Sequence, residues 1–444
     1  MTEQEYFNLS NNDLYEFILY YGTRHVGILV KRESNNYYIV PPNKIKAFND
    51  GFPLNEIGKK VQLSSIVSHS IYKLGRQPSH ASTLLFTKQT KVKKLIILGA
   101  GASFDFSYDP AIVNSPNRPP LANNLFSDNH LRILNKYPGA FHLSTEILLS
   151  NDIEHYFQSQ WNKIENTTNT ILFENLVNTQ FYLHELFEHI SNSNFNNRRN
   201  NYSFLAKQAH EYSLSTGEHI AIVSFNYDTL IEEALVNQAR YHFNSLNDYI
   251  DYENKHILLF KPHGSWNWVK RFKSDITNPH TRNRILGVSD FAKEIYQKRM
   301  YHHQLTELLE DNISIYNKPN NVLPGQIYKE FSHLPQLLIP YKEKDEYIMP
   351  EGHENYMNYF LRDIEDILIV GWKGAEIKFQ ELLKNKLNNK KISVNIVNND
   401  SGDSIVDLFK TISPSTTYYN HKTFSDYIKN LNDPKNHSHF FSIK

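Results

Sequence analysis

Val92-Lys93-Lys94-Leu95-Ile96-Ile97-Leu98 runs directly into Gly99-Ala100-Gly101-Ala102-Ser103. The first seven residues are a short, nearly continuous apolar run rich in branched side chains, closed by a glycine-rich turn. A parallel strand buried on both faces reads this way. Three later stretches share the character: Ile220–Phe225, Asp366–Gly371 and Ile392–Val397. Helical patterns follow within a few residues, at Asp228–Leu235 after the first and Ala375–Leu383 after the second. Repeated strand–turn–helix units predict an α/β fold, a Rossmann-like doubly wound, mostly parallel sheet. Such sheets bind ligands beyond the carboxyl ends of their strands.

Outward from this frame, residues 1–90 form a lead segment of α+β character. A helix is expected over Asn11–Tyr21, then a hairpin of His25–Val30 and Tyr37–Val40, stopped by Pro41-Pro42. No chemistry is visible there, and an accessory or oligomerisation role is expected. The sheet domain is expected over residues 91–412, with helical insertions at about 120–216 and 270–360. Glu174–Ile190 is the clearest helix of the first, and Asp290–Leu309 a helix of the second. Asn192–Asn197 reads as exposed loop. Residues 413–444 read as a C-terminal tail.

Composition limits the function classes. The chain has 444 residues, 40% hydrophobic and 21% charged, ample for a buried core. Lys+Arg and Asp+Glu both number 47, so bulk positive charge offers no route to nucleic acid and direct nucleic-acid binding is not expected. With no Cys, disulfides, thiol nucleophiles and Cys-ligated zinc are all excluded. No signal-peptide pattern opens the chain, and apolar runs such as LIILGA and ILIVGW are too short to span a bilayer. A cytoplasmic protein is expected.

Chemistry-bearing residues fall at the ends of the strand-like runs. Gly99-Ala100-Gly101-Ala102-Ser103 lets backbone approach a diphosphate closely, although the third glycine of the usual dinucleotide fingerprint is absent. Ser224-Phe225-Asn226-Tyr227-Asp228 puts an amide and a carboxylate two residues apart. Asn226 can hold a ribose hydroxyl or a water, and Asp228 either joins it or caps the following helix. Lys261-Pro262-His263-Gly264-Ser265 follows Ile257–Phe260 and offers an imidazole, the natural general base near neutral pH. Trp266 and Trp268 beside it read as packing residues. Gly371-Trp372-Lys373-Gly374 and Val397-Asn398-Asn399-Asp400 close the last two strands.

In this order the motifs resemble those of sirtuins, and in particular the sirtuin-like domains of bacterial anti-phage defence proteins. Pro120–Phe126 and Leu337–Tyr341 are similar to further landmarks, and the resemblance covers about residues 92–412. It implies a Rossmann-like NAD+ site and cleavage of the nicotinamide–ribose bond. By position, Gly99, Ala100, Gly101 and Ser103 would cradle the NAD+ diphosphate. Asn226 would hold the nicotinamide ribose or the attacking water, with Asp228 in support and His263 as the catalytic base. Gly371 and Asn398 would contact the phosphate and adenosine side. Two departures bear on the acceptor. Sirtuin deacylases carry a Cys-ligated zinc module and a Gly-Ile-Pro-Asp-Phe-Arg-like stretch; this chain has no Cys, and it has Ser103-Phe104-Asp105-Phe106-Ser107 at that place. Water is therefore the expected acceptor and no metal is expected. The resemblance implies an NAD+ nucleosidase that depletes NAD+ in abortive infection. It also implies a homo-oligomer and a separate activating partner, a helicase-like ATPase or an Argonaute-type protein. The alternatives are a sensor of NAD+ or ADP-ribose-derived signals that does not hydrolyse them, and an ADP-ribosyl cyclase or transferase.

Overall fold

The computed structural model describes residues 13–18, 24–32, 36–40, 59–61, 72–76, 92–150, 152–166, 170–195, 197, 200–273, 309–316, 331–339, 347–398, 403–413, 416–431 and 440–441. Their contacts divide the chain into two units, Met1–Lys91 and Val92–Lys444. In the first, β1 (Asp13–Ile18), β2 (Arg24–Arg32), β3 (Asn36–Val40), β4 (Lys59–Val61) and β5 (Tyr72–Arg76) form an antiparallel sheet in the order β4-β3-β2-β1-β5. The expected hairpin is present as β2 and β3, with Arg32 opposite Asn36. The helix expected over Asn11–Tyr21 is instead β1, at least through Asp13–Ile18. Tyr15 sits opposite Gly27 and Phe17 opposite His25, so cross-strand pairing outweighs a pattern that reads as helical in isolation.

The second unit runs through β6 (Val92–Leu98), β7 (His219–Ser224), β8 (Ile257–Phe260), β9 (Gly264–Lys273), β10 (Leu309–Ile315), β11 (Phe331–Leu337), β12 (Asp366–Val370), β13 (Ser393–Val397) and β14 (Thr417–His421). Six of these make a parallel sheet in the order β14-β13-β12-β6-β7-β8. Numbered by appearance within that sheet, the order is the 3-2-1-4-5-6 of the dinucleotide-binding Rossmann fold. The expected α/β class is therefore the observed one. Chain direction across the sheet reverses between β6 and β12, which makes their carboxyl ends the switch point.

β7, β8 and β12 are buried along their whole length, which is why the sequence shows continuous apolar runs rather than alternation. Lys94 interrupts the run in β6. Its ammonium lies 3.0 Å from the buried carboxylate of Asp366, the residue directly opposite it in β12, and faces the rings of Tyr212 and Phe440. The pair locks register at the amino ends of the two central strands.

The sheet continues past residue 412. β14 pairs along β13, and the helix Phe424–Leu431 follows it, so this part of the expected 413–444 tail belongs to the fold. Thr417-Tyr418-Tyr419-Asn420-His421 is a half-exposed edge strand with one neighbour, and it lacks the apolar run that marks the central strands. Ser425 bonds the Asp105 carboxylate through both its N–H and its hydroxyl, at 3.0 Å each, tying this end to the loop after the glycine turn.

Between β6 and β7 lie the helices Pro138–Leu149, Ile153–Asn166, Thr170–Asn194 and Asn201–Thr216. The first three share a core of their own around Phe126, Leu143, Phe157, Phe181 and Leu186. The expected loop at Asn192–Asn197 begins late, because the long helix continues through Asn194, whose buried amide bonds Ile190 O and Asn117 O. The helical character expected of the second insertion falls largely outside the described residues. β9, β10 and β11 make an antiparallel sheet in the order β10-β9-β11, followed by the helix Glu351–Phe360. An irregular register between Leu309 and Ile313 breaks the alternation that would have marked β10. The helix expected over Asp290–Leu309 lies outside the described residues, apart from Leu309 in β10.

Asn200 opens the Asn201–Thr216 helix, its Oδ1 accepting from Ser203 N–H at 2.8 Å. Asn200→Ala is expected to cost about 1 kcal/mol, read by urea unfolding.

Candidate active site

The glycine turn is built by backbone packing between two loops. Gly99 N–H donates to Val370 O at 2.9 Å and Gly101 N–H to Gly371 O at 3.1 Å, so the loop after β6 is sewn to the loop after β12. A Cβ on Gly99 would lie 2.4 Å from Gly371 O, and one on Gly371, at φ +60, would lie 2.3 Å from Ala102 N. The glycines at the switch point are thus required by the protein before any nucleotide enters. Ala100 starts the short helix Ala100–Phe104. Asn398, half-buried after β13, donates from Nδ2 to Trp372 O at 3.0 Å and holds the same loop from its other side. Asn399 and Asp400 lie outside the described residues.

Asn226 stands one strand over, after β7. It is buried, and its Nδ2 faces three acceptors: Gly99 O at 3.0 Å, Ser103 Oγ at 2.9 Å and Tyr202 OH at 3.2 Å. Ser103 Oγ and Tyr202 OH are themselves 2.9 Å apart. An amide nitrogen carries two hydrogens, so three acceptors exceed its capacity and one contact is exchangeable. Burial keeps the Tyr202 hydroxyl protonated, and the charge of Asp228 adds to that.

Of its two sequence readings, the contact seen for Asp228 is the one at the start of the following helix. Its Oδ1 accepts from Leu230 N–H at 3.2 Å at the start of the helix Leu230–Ala239, while its Oδ2 is buried, with the Ser103 side chain near enough to favour its charged form. Burial raises its pKa and the charge of Lys261 pulls it back. Lys261 is fully buried. Its Nζ reaches Asp228 O at 2.6 Å, Glu232 Oε1 at 2.8 Å and Ser265 Oγ at 2.8 Å. It therefore joins the tip of β7 to the tip of β8.

His263 follows β8. Its ring centroid is 4.9 Å from that of Phe225 and 6.5 Å from that of Tyr227, the two neighbours of Asn226 in the chain. Its carbonyl accepts from Leu338 N–H at 2.9 Å. Gly264, at φ +76, lets the chain turn into β9 where a Cβ would meet Gln336 O at 2.0 Å. That close approach gives the His-Gly pair its structural reason. Trp268 is buried and Trp266 Nε1 lies 3.3 Å from Thr229 Oγ1, so both are packing residues.

Sequence reading missed several residues. Tyr202, on a helix of the insertion, carried no positional signal. Lys261 was visible beside the His-Gly pair but had no visible partner. Glu376 Oε1 lies 3.9 Å from His263 Nε2, and its Oε2 accepts from Trp372 Nε1. Trp372 stacks on Phe225, their centroids 5.9 Å apart. An apolar cavity of about 150 Å³ lies between Phe157, Leu176 and Gln180 on the insertion helices and Leu337, Leu338 and Ile348, the last two bonded through their N–H groups to His263 O and Pro262 O on the loop after β8. Among the described residues no helix is long and apolar enough to cross a membrane, and no three His, Asp or Glu side chains gather to hold a metal.

Residues 220–316 match the family model of the SIR2-like domain. The matched stretch carries Asn226, Asp228, Lys261 and His263, whereas Gly99–Ser103, Gly371 and Asn398 lie outside it. Among solved structures, a chain titled "The Structural basis of Sirtuin Substrate Affinity" is similar at 10% identity, covering 80% of this chain and 98% of that one, with a TM-score of 0.31. No curated protein matches the chain.

Proposed function

We propose that this protein cleaves NAD+ at the nicotinamide–ribose bond, with water as acceptor, giving nicotinamide and ADP-ribose. The observation that carries the reading is the cluster of Asn226, Ser103, Tyr202 and Gly99 at the switch point of a 3-2-1-4-5-6 sheet, with His263 one strand further on. The match of the SIR2-like domain to the stretch holding both Asn226 and His263 supports the same substrate.

The residues fit NAD+. The glycine loops, packed backbone to backbone, stand at the switch point where a diphosphate would approach, and the exchangeable contact of Asn226 gives a sugar hydroxyl a place in an existing network. Gly99, Ala100 and Gly101 would hold the diphosphate, with Gly371 and Asn398 on the adenosine side. Asn226 would hold the nicotinamide ribose, and Ser103, bonded to it and first read with the diphosphate, would stand between the two. Cleavage builds oxocarbenium character on that ribose. The C–N bond breaks with its electron pair passing to the nicotinamide ring nitrogen, which neutralises the ring's positive charge, so the leaving group needs no acid. The water oxygen bonds the sugar carbon, and its proton passes to His263. Orientation by Asn226 and proton acceptance by His263 are what the chain supplies.

In a cell this reaction would deplete NAD+, consistent with the resemblance to anti-phage defence proteins. In that setting the chain acts as a homo-oligomer awaiting a separate activating partner. The test incubates the full chain with NAD+ and follows products by chromatography. Nicotinamide and ADP-ribose in equal amounts are expected. A cyclic or transferred product would replace hydrolysis with the cyclase or transferase reading. Tight NAD+ binding without cleavage would favour a sensor.

A further inference from the structure

His263 is enclosed on one side by aromatic rings and on the other by a carboxylate. Phe225 and Tyr227 pack against its ring from the tip of β7. From the loop after β12, Glu376 presents Oε1 at 3.9 Å from Nε2. The side chains of His263 and Glu376 are 4% and 12% exposed, so water screens their interaction little. Glu376 does not reach this position as a free rotor. Its Oε2 takes the indole N–H of Trp372, a buried ring stacked on Phe225 and set edge-on to Phe379. The carboxylate is thus anchored by one oxygen, with the other turned to the imidazole.

We propose that Glu376 is the positioning residue of His263, an anchored carboxylate that orients the imidazole and stabilises the imidazolium formed when it accepts a proton. This deepens the reading of His263 as the base and rests on it for its catalytic meaning. Other charged and titratable groups near the pair among the described residues have partners or causes of their own. Lys261, on the same loop as His263, is neutralised by Glu232 at 2.8 Å. Asp228 sits beside Tyr227 and faces Lys261. Tyr347 feels the charges of Glu354 and Glu376, and burial keeps its phenol protonated. Lys378 is paired with Glu354 at 3.0 Å. Among the described residues, Glu376 is thus an anion placed to act on the ring.

The test is an NMR titration of histidine-labelled full chain without NAD+, with the His263 signal assigned by its loss in His263→Gln. Glu376→Gln keeps the shape of the side chain and removes its charge. The His263 pKa is expected to fall by about one unit or more in that variant, because an opposite charge within about 4–6 Å favours the charged ring. Glu376→Asp, which keeps the charge on a shorter arm, is expected to fall by less and serves alone if the glutamine variant does not fold. A rise or an unchanged value in the variant read overturns the proposal. The acid limb of nicotinamide release should move down with the pKa in Glu376→Gln. A shifted titration in a protein that never cleaves NAD+ would keep the pair and remove the nucleosidase reading; cleavage with an unmoved titration would do the reverse.

Discussion

His263→Gln is expected to lower nicotinamide release by about 10²–10⁴-fold, the usual contribution of a positioned general base. Glutamine keeps a polar side chain among Phe225, Tyr227 and Glu376, so the loop retains its filling and the loss reports proton acceptance. NAD+ affinity should change little, because the residues assigned to the diphosphate and ribose stand on other loops. Asn226→Ala should lose turnover to a similar extent for a different reason. It strips the amide from Gly99 O, Ser103 Oγ and Tyr202 OH together, which frees the network that would orient the ribose. Weaker NAD+ binding should accompany it, so calorimetric affinity and single-turnover rate separate the two variants. Near-wild-type turnover in both would remove these side chains from the reaction.

The two roles are unequally legible in the sequence. β6, β7, β8, β12 and β13 could be read because buried parallel strands demand continuous apolar residues, and a strand tip carrying Asn or His is conspicuous against them. β14 could not, since an edge strand with exposed faces needs no such run. β1 reads as helix in the sequence because a six-residue strand is decided by what lies across from it. At the site, the glycine turn was visible, but its main partner was not. Nothing local in Gly99–Gly101 tells that Gly371, more than 250 residues away, fills the space where side chains would be. Tyr202 and Glu376 were invisible for the same reason. Each becomes part of the site through tertiary approach: Tyr202 stands on a helix of the insertion, and Glu376, two residues past Gly374, carries nothing locally that points to His263.

Lys261→Met should be the most damaging substitution for stability, at about 3–5 kcal/mol, since it leaves buried carboxylate charge without its counterion. The lysine is fully enclosed and satisfies a backbone carbonyl, a carboxylate and a hydroxyl at once. Methionine fills much of the same volume, so the loss reads charge and hydrogen bonding rather than a cavity. The effect should depend on pH with a definite sign. Burial raises the pKa of Asp228 and Glu232 above the usual carboxylate range, and Lys261 opposes that rise. Without the lysine the folded state binds protons more tightly than the unfolded state over a wider range. Stability of the variant therefore falls further behind wild type as pH rises through the folded-state values, and the gap is smallest in acid. Denaturant midpoints at pH 5 and pH 8 are the measurement (about three units spanning the range where raised carboxylates titrate). Adding Glu232→Gln to Lys261→Met should recover part of the stability at pH 8 by removing one unpaired charge. Recovery of stability need not restore turnover, because Lys261 also fixes the carbonyl of Asp228 between Asn226 and the helix that follows. A double variant that folds well yet cleaves NAD+ slowly would separate the lysine's structural contribution from its hold on the two strand tips.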